Sequence, residues 1–140
     1  MYILSSGIIS QMKHLAIFKG DGGNLILTGK KTIESRFSQR RDPPFGQVSA
    51  GDLIYIKPSG KDIIGQFRVK KVIFFDGLKE DDIKEIKLRN GGNIVADEEY
   101  WKAHKDAKYA TLIFIGDSSR FITSPVKIPK KDLWGWVVLG

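Results

Sequence analysis

The stretch Thr28-Gly29-Lys30-Lys31-Thr32-Ile33-Glu34-Ser35-Arg36 decides how the rest of the chain is read. After a glycine it places three cations and one carboxylate within seven residues, separated by Thr32, Ile33 and Ser35. In an extended segment side chains alternate between faces. Lys30, Thr32, Glu34 and Arg36 then share one face, and Lys31, Ile33 and Ser35 take the other. A bend at Gly29 instead lets Lys31 swing toward Glu34 and Arg36. In both geometries a carboxylate sits among cations and orients them, a grip suited to a phosphate or a polar base edge. The competing reading is a solvated strand edge whose charges discourage edge-to-edge pairing, and spacing alone leaves both open.

Upstream, the apolar run His14-Leu-Ala-Ile-Phe18 predicts a first strand. Lys19-Gly-Asp-Gly-Gly23 breaks it as a turn, because no Gly-Lys-Ser/Thr completes a phosphate loop. Asn24 to Thr28 fits one helical turn stopped by Gly29, with the charged motif as the second strand. Downstream, Phe37 to Ala50 holds Arg40, Arg41, Pro43 and Pro44 and is expected as a loop. Leu53-Ile-Tyr-Ile56 and Asp62 to Phe75 predict an antiparallel hairpin, with Gly65 as a bend or bulge. Leu78 to Arg89 patterns as a helix, acidic early and basic late, stopped by Asn90-Gly91-Gly92-Asn93. Asp97 is positioned to cap a second helix over Glu98 to Ala107. Tyr109 to Ile115 and Arg120 to Thr123 suggest another hairpin, turning at Gly116 to Ser119. Pro125, Pro129 and Asp132 interrupt the segment after that hairpin, and Trp134 to Leu139 closes the chain as a strand. Grouped helices and dominant hairpins, with no βαβ series, predict an α+β class with a small mixed, mostly antiparallel β-barrel and two or three helices.

Composition limits the chemistry. The chain has 140 residues, room for one core but not two. With no cysteine there is no disulfide, thiolate nucleophile or Cys-based metal site. Two isolated histidines, His14 and His104, give neither a zinc-binding spacing nor a Ser–His–Asp set, so no metal and no cofactor are expected. No apolar run approaches the ~20 residues that span a bilayer. Residues 1–11 carry no charge and no basic signal-peptide start, and are expected as an extension preceding a single domain over 12–140. The absence of cysteine is compatible with the cytoplasm, and a cytoplasmic location is expected.

The net charge of +7 is unevenly spread. Residues 12–61 hold nine Lys/Arg against four Asp/Glu, and residues 120–132 four against one; residues 78–106 hold six against eight. This polarity suits a polyanion such as nucleic acid, or else simply aids solubility.

Gly29 to Arg36 matches the pattern GxKxxExR, and on that motif the chain resembles the ASCH domains, relatives of the PUA fold. The strand, short helix, motif and subsequent Gly51-Asp52-Leu53-Ile54 occur in the same order, and the likeness covers roughly residues 12–139. The resemblance implies a small β-barrel with a cleft lined by Lys31, Glu34 and Arg36, facing RNA or a nucleoside. Some small bacterial members are similar to amidohydrolases that remove the acyl group from acetylated cytidine. They use the motif lysine (here Lys31), a threonine two residues before the motif arginine, and a glutamate from the middle of the chain. Glu34 occupies the threonine position, Thr32 is the neighbouring hydroxyl, and Glu98 or Glu99 is a positional counterpart for the glutamate. A ribonuclease activity is also associated with the family.

The candidate nucleic-acid contacts are thus Lys30, Lys31, Glu34, Arg36, Arg40, Arg41 and Trp136, and the candidate catalytic residues Lys31, Thr32 and Glu34. Arg36 offers a planar fork suited to phosphate or a guanine edge. Trp134 and Trp136 flank Gly135 on one strand face, to stack on a base or fill the core. Tyr100 and Trp101 are expected to pack a helix on the sheet, His104 to lie on the helix surface, and His14 at a strand end. Three functions remain open: RNA or modified-nucleoside binding in a basic cleft, a hydrolase using Lys31, and a protein-interaction module.

Overall fold

The computed structural model describes residues 11–123 and 134–140 of the chain. Residues 1–10 of the expected extension, and the interruption at Pro125, Pro129 and Asp132, lie outside the described residues. In order come β1 (Lys13–Phe18), α1 (Gly22–Leu27), β2 (Ile33–Ser38), β3 (Leu53–Pro58), β4 (Gly65–Asp76), α2 (Glu80–Ile94), α3 (Glu98–Ala103), β5 (Tyr109–Arg120) and β6 (Trp136–Val138). The strands form one sheet in the order β2-β5-β4-β3-β1-β6, curled into a half-barrel. The α+β expectation with a mixed, mostly antiparallel sheet and three helices among the described residues describes this architecture.

The parallel pair is β1 with β3, aligned from Lys13–Leu53 to Phe18–Pro58, and the other pairings are antiparallel. Both strands are buried almost throughout, as continuous apolar sequence requires of strands covered on both faces. One face contributes Ala16, Phe18, Ile54 and Ile56 to a core with Phe67, Ile113 and Trp136. The opposite face places Leu15, Ile17, Leu53 and Tyr55 with Ile63. A third cluster packs Ile83, Ile86, Ile94 and Trp101 of α2 and α3 onto Ile33 and Leu112 of β2 and β5. Tyr55 is thus a core residue.

Two boundaries differ most from the sequence expectation. The helix expected to stop at Asn90-Gly91-Gly92-Asn93 runs through those residues to Ile94. Two interior glycines cost about 2 kcal/mol relative to alanine, an amount that full burial of the Ile94 side chain offsets. The last turn is also held from outside: Thr32 N–H donates to the Asn93 carbonyl and the Lys31 ammonium to that of Ile94. Tertiary contacts thus override the local stop signal, and Val95 caps the helix just beyond Ile94 in a left-handed conformation with φ 54°.

The second difference is β5, which continues through Gly116 to Ser119 instead of turning there. Ser118 and Ser119 pair with Phe67 and Gln66, and register shifts between Phe67 and Lys71 absorb the surplus residues as bulges. Gly116 permits the close approach, since a Cβ there would sit 3.0 Å from the Arg68 carbonyl oxygen. The expected pairing of β3 with β4 is present, and α3 is shorter than expected, ending at Ala103.

Candidate functional site

The charged motif enters the fold as a bend and then a strand. Gly29 at φ 83° ends α1, and β2 begins at Ile33, so Lys31 precedes the regular strand and is free of its alternation. Its ammonium turns toward Glu34 Oε1, 3.2 Å away, while Glu34 Oε2 accepts from Arg36 Nε at 2.7 Å. Lys31 and Glu34 are 6% and 5% exposed, which makes this a buried cation–carboxylate–cation cluster. Lys31 also caps the carboxyl end of α2, where the helix dipole favours a cation. The Ile94 carbonyl and the Glu34 carboxylate together hold the ammonium in place.

Arg36 has a mainly architectural task. Its Nη1 donates to the Gly135 carbonyl at 3.0 Å and Nη2 to the Ile17 carbonyl at 3.1 Å. β2 and β6 are the two edges of the sheet. The arginine therefore ties one edge to the residue preceding the other, closing the mouth of the half-barrel. Its guanidinium lies 5.0 Å from the Phe18 ring centre and 5.3 Å from that of Trp136, a sandwich that adds cation–π attraction. A planar fork meets this many partners at once, which a lysine could not.

Trp136, a candidate stacking residue, is 5% exposed and lies beneath Arg36. Its indole N–H donates to His14 Nδ1 at 3.1 Å, and that ring's Nε2 contacts Asp52 Oδ2 at 2.8 Å. The indole fixes the tautomer: Nδ1 accepts, so Nε2 carries the proton and donates to Asp52. His14 is fully buried rather than a strand-end residue, because β6 covers it and Asp52 satisfies it. Asp52 additionally accepts from the backbone N–H groups of Met12 and Ser49.

Above the motif opens a cleft of about 760 Å³. Its floor is Lys31, Glu34 and Arg36; the β1–α1 turn and the α2–α3 connection form its sides. α3 starts where Asp97 Oδ1 accepts from Tyr100 N–H at 2.9 Å, the expected cap. That helix directs Tyr100 and His104 into the cleft and Trp101 into the core. The Tyr100 hydroxyl lies 2.7 Å from Ser35 Oγ and donates to the Ser35 carbonyl at 3.0 Å. Burial, reinforced by the Glu34 carboxylate, pushes the Tyr100 phenol far above its ordinary value, so it is a neutral donor. His104 packs edge-on against Tyr100 at 4.4 Å and stacks on Phe37 at 5.6 Å. Desolvation lowers its pKa and favours the neutral imidazole.

Among the described residues that line the cleft, positive and negative charges are balanced. Lys19, Lys31 and Arg36 face Asp21, Glu34 and Asp97. Such a lining suits a ligand read by hydrogen bonds and aromatic contact more than a long phosphate track. Among the described residues no group of three or more His, Cys, Asp or Glu could hold a metal, and no helix is long and apolar enough to cross a membrane.

No family model matches the sequence, and no curated protein does. Solved structures match the fold. The ASCH protein of Zymomonas mobilis superposes with a TM-score of 0.65 at 18% identity, covering 91% of this chain and 87% of that one. Its Tyr→Phe variant gives 0.67 at 17% identity, covering 91% and 90%. A Ser→Ala variant of the same protein gives 0.68 at 16%, covering 91% and 88%. The fold is that of an ASCH domain.

On this ASCH fold the sequence-predicted residues separate into groups. Lys31, Glu34 and Arg36 converge at the cleft floor. Lys30 is exposed, and Thr32 is exposed and outside the cleft lining, its backbone engaged by Asn93 and Ile115. Arg40 and Arg41 lie on the loop after β2, beside Asp42 and Asp76 respectively. Glu98 and Glu99 point away from the cleft; Glu98 pairs with Lys87 at 2.8 Å. The residues that sequence reasoning missed are Tyr100, Ser35 and His104. Tyr100 and His104 are four apart on one helical path, a spacing that puts them on one face. Only tertiary placement shows that this face borders the motif.

Proposed function

We propose that this chain is an ASCH-family protein that binds an RNA nucleotide or a modified nucleoside in the cleft over Lys31, Glu34 and Arg36. The observation that carries this reading is the buried Lys31–Glu34–Arg36 cluster on the floor of a ligand-sized cleft with aromatic walls. Lys31 supplies a donor, the Glu34 carboxylate an acceptor, and Phe37 and His104 a ring face. A nucleobase presents the matching donors, acceptors and π face. An uncharged nucleoside carries no phosphate and releases few counterions, so its binding in the cleft changes little with salt. Titration of ribonucleosides and mononucleotides against the wild type and Lys31→Met tests it: binding that Lys31→Met weakens at least about tenfold supports the reading. No binding by the folded wild type overturns it.

A second reading, hydrolysis of an acylated nucleoside, is favoured by the burial of Lys31 in a cleft that Ser35 and Tyr100 also line. It predicts deacylation of acetylated cytidine that Lys31→Ala abolishes while the fold survives. Absence of turnover by wild type removes it.

A further inference from the structure

Away from the cleft lining, Asp52, His14 and Trp136 form a polar chain whose members are at most 5% exposed. Its middle link is titratable, and its two ends make different demands on the imidazole. Asp52 is served by either charge state, because Nε2 carries a proton in both. Trp136 is not. The indole has a donor and no acceptor, so its bond to Nδ1 exists only while that nitrogen is bare. A proton on Nδ1 sets two donors face to face across 3.1 Å, both withdrawn from bulk water.

The charges around the ring pull in opposite directions. Asp52, just before β3, favours the imidazolium at 2.8 Å. Arg36 of β2 opposes it from the indole, 5.3 Å from that ring centre, with Glu34 held on its Nε. The other packing is apolar: Ile54 of β3 and Val138 of β6 flank His14 in register, and Val48, Phe67, Val69 and Ile113 complete the core around Trp136. Lys13 and Arg68 are exposed, and strand alternation places Lys57 on the opposite face with Leu53 and Tyr55.

Trp136 opens β6, a three-residue strand at the edge of the sheet, so each side-chain anchor matters to its docking. Gly135, immediately before it, accepts from Ile17 N–H at 3.0 Å and from Arg36 Nη1 at 3.0 Å. We propose that His14 is a proton-operated latch on β6: a proton on Nδ1 releases Trp136, and with it the Gly135 carbonyl that anchors Arg36 at the mouth of the cleft. Acidification then loosens the strand that closes the half-barrel. The latch depends on no particular ligand and stands apart from the nucleotide reading.

The test follows the His14 ring, the Trp136 indole N–H and the backbone amides of the full chain by NMR from pH 8 to pH 5. The indole resonance should move with the same midpoint as the His14 ring. Over that range the protection factor of Leu139 N–H, which donates to the Lys13 carbonyl, should fall at least about fivefold relative to β4 and β5 amides, as an unsatisfied buried donor requires. Trp136→Phe deletes the donor, so His14 should take its proton about 0.5–1 pH unit higher than in the wild type. His14→Gln cannot take a proton and should abolish the pH dependence of β6 protection; if it fails to fold, the midpoint comparison decides. An indole resonance that ignores the His14 titration overturns the latch, and so does a midpoint unchanged in Trp136→Phe. A His14 ring that stays neutral down to pH 5 overturns it too. Protection lost equally from β4, β5 and β6 marks general acid unfolding and also refutes it.

Discussion

Replacing Glu34 by glutamine removes one negative charge from between two cations and changes almost nothing else in shape. In the native cluster Glu34 contacts Lys31 at 3.2 Å and Arg36 at 2.7 Å, with side-chain exposures of 7%, 7% and 20% for Glu34, Lys31 and Arg36. Breaking a buried ion pair by removing one partner costs about 3–5 kcal/mol, because the other charge stays desolvated and uncompensated. Arg36 reaches water and keeps two carbonyl acceptors, which places the expected loss near the lower end, at about 3 kcal/mol. For a domain of this size that lowers the thermal midpoint by roughly 10 °C. Lys31→Met in the Glu34→Gln background removes one stranded cation, so the double variant should be about 1–2 kcal/mol more stable than additivity of the single losses predicts. Urea unfolding of the wild type, both single variants and the double variant closes the cycle. A Glu34→Gln loss below about 1 kcal/mol, or strict additivity, would refute the picture of a buried, mutually compensating cluster.

Arg36→Lys keeps the charge but can satisfy one partner rather than three, and should cost about 2–3 kcal/mol. Hydrogen exchange should show β6 amides losing more protection than those of β4, and uniform loss would argue against the clasp. Tyr100→Phe removes the hydroxyl that bonds Ser35 and should cost about 1 kcal/mol at pH 8 by urea unfolding. The native phenol is shifted above its ordinary 10.0, so its contribution is complete below pH 10 and declines as pH rises beyond it. Wild-type stability should therefore fall more steeply than that of Tyr100→Phe above pH 10. Val95 holds φ 54° at the end of α2, a conformation that costs a β-branched residue about 1–2 kcal/mol. Its side chain is 41% exposed, so Val95→Gly should be about 1 kcal/mol more stable, and a loss of stability would show that the valine side chain packs usefully.

The features legible in the sequence were those carried by local signals. Alternating and continuous apolar runs located β1, β3 and β4, the Asp97 cap located the start of α3, and Gly29 located the bend that frees Lys31. Asn90 to Asn93 misled because Ile94 burial and the motif's own donors outweigh two glycines, a balance struck between segments more than 60 residues apart. Gly116 to Ser119 misled because a bulged strand and a turn use the same small polar residues. The clasp made by Arg36 was equally hidden: its acceptors are backbone carbonyls of β1 and of the residue before β6, which carry no sequence signature. Trp136 and His14 present the same difficulty, since a buried indole–imidazole–carboxylate chain joins residues up to 122 positions apart.

The structure also changes the meaning of the motif's charge. Positive residues gather in the sequence around it, yet the described residues that line its cleft are balanced between cations and carboxylates. Unbalanced cations lie elsewhere, including Arg68, Lys70 and Lys71 along β4, where no ion pair forms among the described residues. A polyanion attracted only by net charge would find that strand as readily as the cleft.

The most direct measurement is therefore an amide chemical-shift titration of the isotope-labelled protein with mixed-sequence single-stranded RNA at low salt. The cleft account predicts saturable shifts concentrated at residues 31–36, Tyr100, His104 and Gly135, which Lys31→Met suppresses. Shifts confined to Arg68, Lys70 and Lys71, or none at all, would contradict it.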